Sequence, residues 1–270
     1  MRTKRNTTFS LPCYRKFKNT FGEFNALINF EEVAALHLFA EKGEEENMGE
    51  VLTRIAPAYG LHISDVRLPH YEIVLRQAYL NHPFACFEVF LEDFKEEYKS
   101  LVNPGFVLVN EDDLSKLEKF TRSLKDDGVI PQISGYLLDM YNYYRLVRNQ
   151  VIHHLSSDRN VKNAFKRLEK RREEILTRFE QMPNPPESID FNDFKLCDQV
   201  ILDLAELFSI SVEKHIDWET IDCFEKGIVL RSKVNKFRDN PKRLKKYIDS
   251  SFMSAFGIKA PLKAINRIRG

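Results

Sequence analysis

Arg148, Asn149, His153 and His154 place an arginine, a carboxamide and two imidazoles within seven residues of one another. A guanidinium holds phosphate through a permanently charged fork, and imidazole exchanges protons near neutral pH. The combination suits cleavage of a phosphodiester with neither metal nor cofactor. The arginine would neutralise charge on the phosphorane, and a histidine would move the proton. The bare spacing is common: an arginine separated from a following histidine by four to six intervening residues is expected about once or twice in a chain of this composition. Arg76 and His82 repeat it, but no Asn follows Arg76 and His82 runs into Pro83. The second instance is set apart by Asn149, by the doubled histidine, and by the helical run Tyr136–Val147 before it.

The element that positions these residues is a helix expected from Ile133 to Leu155. Leu137, Met140, Tyr144, Val147, Val151 and Leu155 recur at three and four and make its core stripe. Arg145, Asn149 and His153, spaced by four, stack along another side, with Arg148 and Ile152 beside them. Arg145 reads as a phosphate-side helper or an ion-pair partner. Tyr141, Tyr143 and Tyr144 read as packing residues. Arg148 and His153 are five apart, about 140° around a straight helix. They would share one phosphate through the length of the arginine, through an opening of the helix end, or through a second copy of the chain. Leu138, Tyr141 and Ile152 add a second, partly apolar face that a monomeric surface helix would not need.

Arginine, asparagine, three residues and a histidine at the end of a long helix in an all-α chain resemble the signature of the HEPN superfamily. The resemblance rests on this motif and its helical context, over roughly 150 residues. It implies an all-α, HEPN-like bundle of four helices; the first 60 and last 45 residues, read as extra N-terminal helices and a basic C-terminal tail, lie outside the resemblance. It also implies a homodimer whose two motifs form one composite cleft, and a metal-independent endoribonuclease of the kind found among toxins and anti-phage defences, with an antitoxin or regulatory protein as partner. Carried over by residue, Arg148 and His153 match the catalytic pair and Asn149 the polar position after the arginine. His154 is an additional imidazole that competes for the role of His153. A tyrosine two residues after the histidine marks one toxin branch; Leu155 stands there instead. Two other readings of the same residues are a bundle that binds RNA or nucleotide without cutting, and a helical dimeric scaffold in which Arg148 and His153 pair with acids.

The net charge of +1 conceals segregation. Residues 1–18 hold six basic side chains and no acid. Residues 226–270 hold 13 basic ones against Asp239 and Asp249, which leaves 22 basic and 38 acidic residues between. Lys242, Arg243, Lys245 and Lys246, interleaved with Phe237 and Tyr247, have the make-up of an RNA-backbone contact or of a solubilising tail. Three stretches are expected: an N-terminal basic segment with accessory helices over 1–65, the bundle over 66–220, and a basic tail over 221–270.

No apolar run reaches membrane-spanning length and the N-terminus lacks a signal-peptide core, so a cytoplasmic protein with no membrane partner is expected. Cys13, Cys86, Cys197 and Cys223 are isolated, which implies free thiols rather than a zinc or redox motif. Helices are expected over 24–41, 48–59, 68–80 and 84–101, with Pro83 dividing the last two, and over 111–124 with Asn110 as cap. A self-paired charged helix should run from Ser157 or Asp158 to Gln181, and an apolar one from Ile189 to Ile216, packing on the motif helix. Gly105–Val109 permits a short strand. The acids Glu92, Asp93, Glu96 and Glu97 make an exposed helical face rather than a metal site.

Overall fold

The computed structural model describes residues 8–43, 46–62, 71–153 and 158–269. All regular structure among them is helical: α1 (Pro12–Ala40), α2 (Met48–Ile55), α3 (Tyr71–Tyr79), α4 (Asn81–Leu101), α5 (Lys116–Asp126), α6 (Gly135–His153), α7 (Asp158–Lys170), α8 (Arg172–Phe179), α9 (Phe191–Ser211), α10 (Arg231–Phe237), α11 (Pro241–Phe256) and α12 (Leu262–Arg269).

Local chemistry sets several helix ends. Asn47 with Glu50 and Ser115 with Glu118 form reciprocal caps on α2 and α5, each satisfying two backbone donors that the helix itself cannot. α5 therefore starts after Ser115, not at Asn110. Pro83 does not divide two helices either. The break falls at Leu80, and Pro83 sits in the first turn of α4, where a missing N–H has no helical acceptor to lose. Gly105–Val109 forms no strand. Phe106 turns inward onto Tyr98 at 4.7 Å, and the Val109 N–H donates to Ser123 Oγ at 2.9 Å instead of to a neighbouring strand. The charged stretch after residue 158 is interrupted at Arg171, whose Nε donates to Asp139 on α6 at 2.7 Å. Its charges thus pair partly with α6 rather than only along their own helix.

The chain forms two compact units. The first takes residues 8–18, 87–133 and 203–269. On α4, Phe87, Phe90, Phe94 and Tyr98 are buried at helical spacing; Phe94 meets Phe208 edge-on at 5.4 Å. The C-terminal stretch, expected as a tail, is built into this unit. Leu244, Ile248, Phe252 and Phe256 recur every fourth residue and are buried, and Trp218 packs on Phe252 and Phe256 at 5.3 and 5.1 Å. The intervening lysines and arginines mask this stripe in composition. The basic N-terminal stretch has a structural use as well. Arg15 donates to the carbonyls of Met253 and Ser254 at the end of α11, and the Ser10 N–H donates to Phe256 O at 2.9 Å. Gly257 follows with φ 73°, where a Cβ would lie 2.7 Å from Thr8 O, so glycine is required there. Three of the acids on α4 have lysine partners: Glu92 with Lys95 and Lys116, Asp93 with Lys16, and Glu96 with Lys99. Glu97 accepts the Cys13 N–H at 2.8 Å, and its burial raises its pKa.

The second unit takes the described parts of 19–86 and 134–202, and α6 carries its largest buried side chains, among them Tyr143 and Tyr144. Leu137, Met140, Tyr144 and Val147 are buried as the stripe requires. Tyr141 and Tyr143 are buried with them, so Tyr141 belongs to the core and not to a second exposed face. α9 meets α6 through Asp193, a fully buried carboxylate that accepts from Tyr144 Oη at 3.1 Å, from the Asn184 N–H and Nδ2 at 2.9 Å each, and from the Asp190 N–H at 3.0 Å. Despite these donors, burial raises its pKa to about 6. Asp193→Ala would leave several donors buried and unpaired, and is expected to lower unfolding free energy by about 2–4 kcal/mol in a urea titration. A loss below about 0.5 kcal/mol would show that water replaces the carboxylate at little cost.

Candidate functional site

Arg148 lies on α6, one residue beyond the buried Val147, and is half-buried. Its guanidinium stands over the Phe84 ring at 5.4 Å, and Phe84 in turn packs on Tyr141 at 5.2 Å. The aromatic face takes one side of the planar cation and orients it. Cys197 of α9 is near enough for the positive charge of Arg148 to oppose the rise in its pKa, which burial drives upward. The site is therefore made by three elements: α6 carries the arginine, α4 supplies the ring beneath it, and α9 brings Cys197 close to its charge.

Asn149 is half-buried beside Arg148, and Arg145 is half-buried one turn back, its Nε without a hydrogen-bond partner among the described residues. His153 is the last residue of α6, so the motif ends with the helix. The side chain of His153, and all of His154, lie outside the described residues.

Asp198, next to Cys197, is a feature that no motif in the sequence indicates. It is 6% exposed, Asn25 hydrogen-bonds to it, and its Oδ1 has no partner among the described residues. Burial raises its pKa to about 8, and its charge also raises the pKa of Cys86. All four cysteines are free thiols.

The other arginine–histidine pair has a structural role. Arg76 forms a buried ion pair with Glu32 at 3.0 Å and also meets Glu72 at 3.4 Å, while His82 packs at a tilt against Phe24 at 6.1 Å. Neither Glu32 nor Phe24 is near Arg76 in sequence, so the partners of this pair become visible only in the fold. Lys242, Arg243, Lys245 and Lys246 are exposed on α11, in the unit that does not contain Arg148, and Lys245 pairs with Asp249 at 2.6 Å. In the unit that does contain it, α1 exposes Phe24, Leu27, Phe30, Val33 and Leu36, one apolar residue in every three. Among the described residues no group of three or more His, Cys, Asp or Glu has the arrangement of a metal site, and no helix is long and apolar enough to cross a membrane.

Comparison with models of known protein families, with curated proteins and with solved structures finds no match to this chain.

Proposed function

We propose that the protein is a metal-independent endoribonuclease of HEPN type, acting as a toxin or in defence against phage. The observation that carries the reading is the placement of Arg148. It is a half-buried guanidinium oriented by Phe84 on the helix that ends at His153. His153 takes the proton from the ribose 2′-hydroxyl or protonates the leaving 5′-oxygen, and Arg148 stabilises charge on the phosphorane. Asn149 orients the phosphate or the imidazole, Arg145 adds positive charge, and His154 is the reserve imidazole.

A homodimer supplies a second copy of the motif, so that one His153 acts as base and the other as acid. The exposed apolar residues of α1, Phe30 at 70% and Val33 at 66%, give a second copy a surface to bury. Lys242, Arg243, Lys245 and Lys246 contribute sequence-independent contacts to the RNA backbone. An antitoxin or regulatory protein restrains the activity, and the protein works in the cytoplasm.

The test is incubation of the full chain with total RNA in EDTA. Cleavage is expected to continue, to leave 2′,3′-cyclic phosphate ends, and to spare a substrate whose 2′-hydroxyls are replaced by hydrogen. Salt-sensitive binding without cleavage would instead mark a non-catalytic RNA-binding protein. Absence of both would leave the helical scaffold.

A further inference from the structure

The C-terminal helices and the loop before them line an open concavity of about 530 Å³ in the unit that does not contain Arg148. Arg231 of α10, Arg238 just after it and Arg267 of α12 all line it, and Asp222 is the single acid among the lining residues. The lining thus carries an excess of two positive charges. Its apolar lining includes Val234, Leu244 and Ile268, which are buried, along with Cys223, Phe224 and Pro241.

Each charged group is held differently. The Arg231 guanidinium carbon stands over the Phe224 ring at 4.4 Å, and Arg231 is 3.8 Å from Asp222, a distance that leaves much of its fork uncommitted. Arg267 donates to the backbone carbonyl of Glu219, which pins α12 to the loop that precedes α10. Arg238 has no side-chain partner among the described residues. The Phe224 and Glu225 N–H groups donate to Asp222 Oδ1 at 2.8 and 3.1 Å, and these bonds hold its pKa below the usual value. Asp222 therefore stays charged and offsets one arginine only.

Three like charges around one concavity repel one another, an arrangement that favours an anion between them. Guanidinium forks match phosphate oxygens in geometry as well as in charge, and a phosphomonoester carries close to two negative charges at neutral pH. The volume lies within the usual range for small-molecule sites, roughly 300–1,000 Å³, and exceeds what a bare phosphate needs. Because the charges line a cavity and do not form a strip along a helix, a compact ligand fits them better than the backbone of a long nucleic acid.

We propose that this cavity binds a free phosphomonoester of mononucleotide size, with the phosphate among Arg231, Arg238 and Arg267 and the body of the ligand on Val234, Leu244 and Ile268. The inference does not rest on the nuclease reading, since none of these residues belongs to the unit that holds Arg148. Binding at this place also gives the basic C-terminal stretch a use beyond solubility.

Calorimetric titration of the full chain with adenosine 5′-monophosphate, adenosine and inorganic phosphate tests it. The monophosphate is expected to bind one per chain, at least about tenfold more tightly than either adenosine or phosphate. Arg238→Glu, at an exposed position with no partner to lose, should weaken monophosphate binding by about tenfold or more while leaving the melting temperature of the free protein nearly unchanged. Arg238→Lys, which keeps the charge without the fork, should fall between. Failure of the wild-type chain to bind the monophosphate, or equal binding by wild type and Arg238→Glu, would overturn the proposal. So would a 5′-phosphorylated oligoribonucleotide that binds more tightly than the monophosphate, because the ligand would then be an RNA end. RNA cleavage by the Arg238→Glu chain is expected to match wild type, which separates failure here from failure of the nuclease assignment.

Discussion

Arg148→Ala and His153→Ala are each expected to lower RNA cleavage by about two to four orders of magnitude, the range typical for loss of a general acid–base group or of a charge-stabilising donor. The two losses have different origins. Removing His153 removes the proton carrier, so the residual rate should lose its dependence on pH near neutrality. Removing Arg148 leaves that dependence in place and lowers the rate at every pH, because charge on the phosphorane is no longer offset. Arg148 also packs on Phe84, so its alanine variant loses some contact within the fold. Arg148→Lys guards against misreading that loss. It keeps the positive charge and most of the stem, yet cannot offer two parallel N–H groups to a phosphate, and should still be slower than wild type by about tenfold or more. Because the two groups act on one step, the double variant should be little worse than the poorer single one. Rates measured in EDTA beside circular dichroism melts decide the matter: undiminished cleavage by folded Arg148→Ala and His153→Ala chains would remove both residues from the mechanism.

Asp198→Asn is expected to raise stability at alkaline pH, with an advantage that shrinks as pH falls. In the folded chain burial lifts the pKa of Asp198 to about 8, against an ordinary value of 3.8. The folded state therefore keeps a proton that the unfolded state has lost. A carboxyl raised in this way contributes fully below its unfolded pKa, and the contribution is lost as pH rises towards the folded pKa. Each unit of that interval corresponds to about 1.4 kcal/mol. Between pH 5 and pH 8.5 the stability of Asp198→Asn relative to wild type should grow by about 4 kcal/mol, a large fraction of the 5–15 kcal/mol typical of a folded domain. Asparagine keeps the shape and a donor or acceptor for Asn25 but has no proton to lose. Urea titrations of both chains across this range provide the check, and parallel pH profiles would show that Asp198 does not titrate where its burial places it. The Asp193 carboxyl adds a smaller slope of the same sign below about pH 6, common to both chains.

The helices were largely legible because their signals are local. The three-and-four spacing of Leu137, Met140, Tyr144 and Val147 marks α6, and that of Phe194, Cys197, Val200 and Ile201 marks α9; all eight are buried. Errors arose where one local signal competed with another. Asn110 and Ser115 are both acceptable caps, and only the Ser115–Glu118 reciprocity decides between them. Gly105–Val109 has the composition of a strand but no partner for its ladder. In the C-terminal stretch charge density outweighed the four-residue recurrence of Leu244, Ile248, Phe252 and Phe256, so a packed helix read as a tail. For the site, Arg148 and Asn149 could be placed on their helix from sequence. Phe84 and Cys197 could not, since each reaches Arg148 from a distant stretch of chain. The arginine cavity is invisible in sequence for the same reason: Arg231, Arg238 and Arg267 converge only when α10, α11 and α12 are folded.

The clasp at residues 8–18 bears on how the chain is made. Ser10 and Arg15 find their acceptors on Phe256, Met253 and Ser254, more than 235 positions later, and the same unit draws its middle portion from residues 87–133. During vectorial synthesis the aromatic face of α4 thus emerges long before α11 exists to complete the unit. For that interval Phe90, Phe94 and Tyr98 have only part of their native surroundings, the circumstance in which nascent chains aggregate or engage chaperones. Contacts so remote in sequence also slow folding, because the long intervening loop must close before they form. Yield in recombinant expression should therefore respond to slower translation and lower temperature more than to any change at Arg148 or in the arginine cavity.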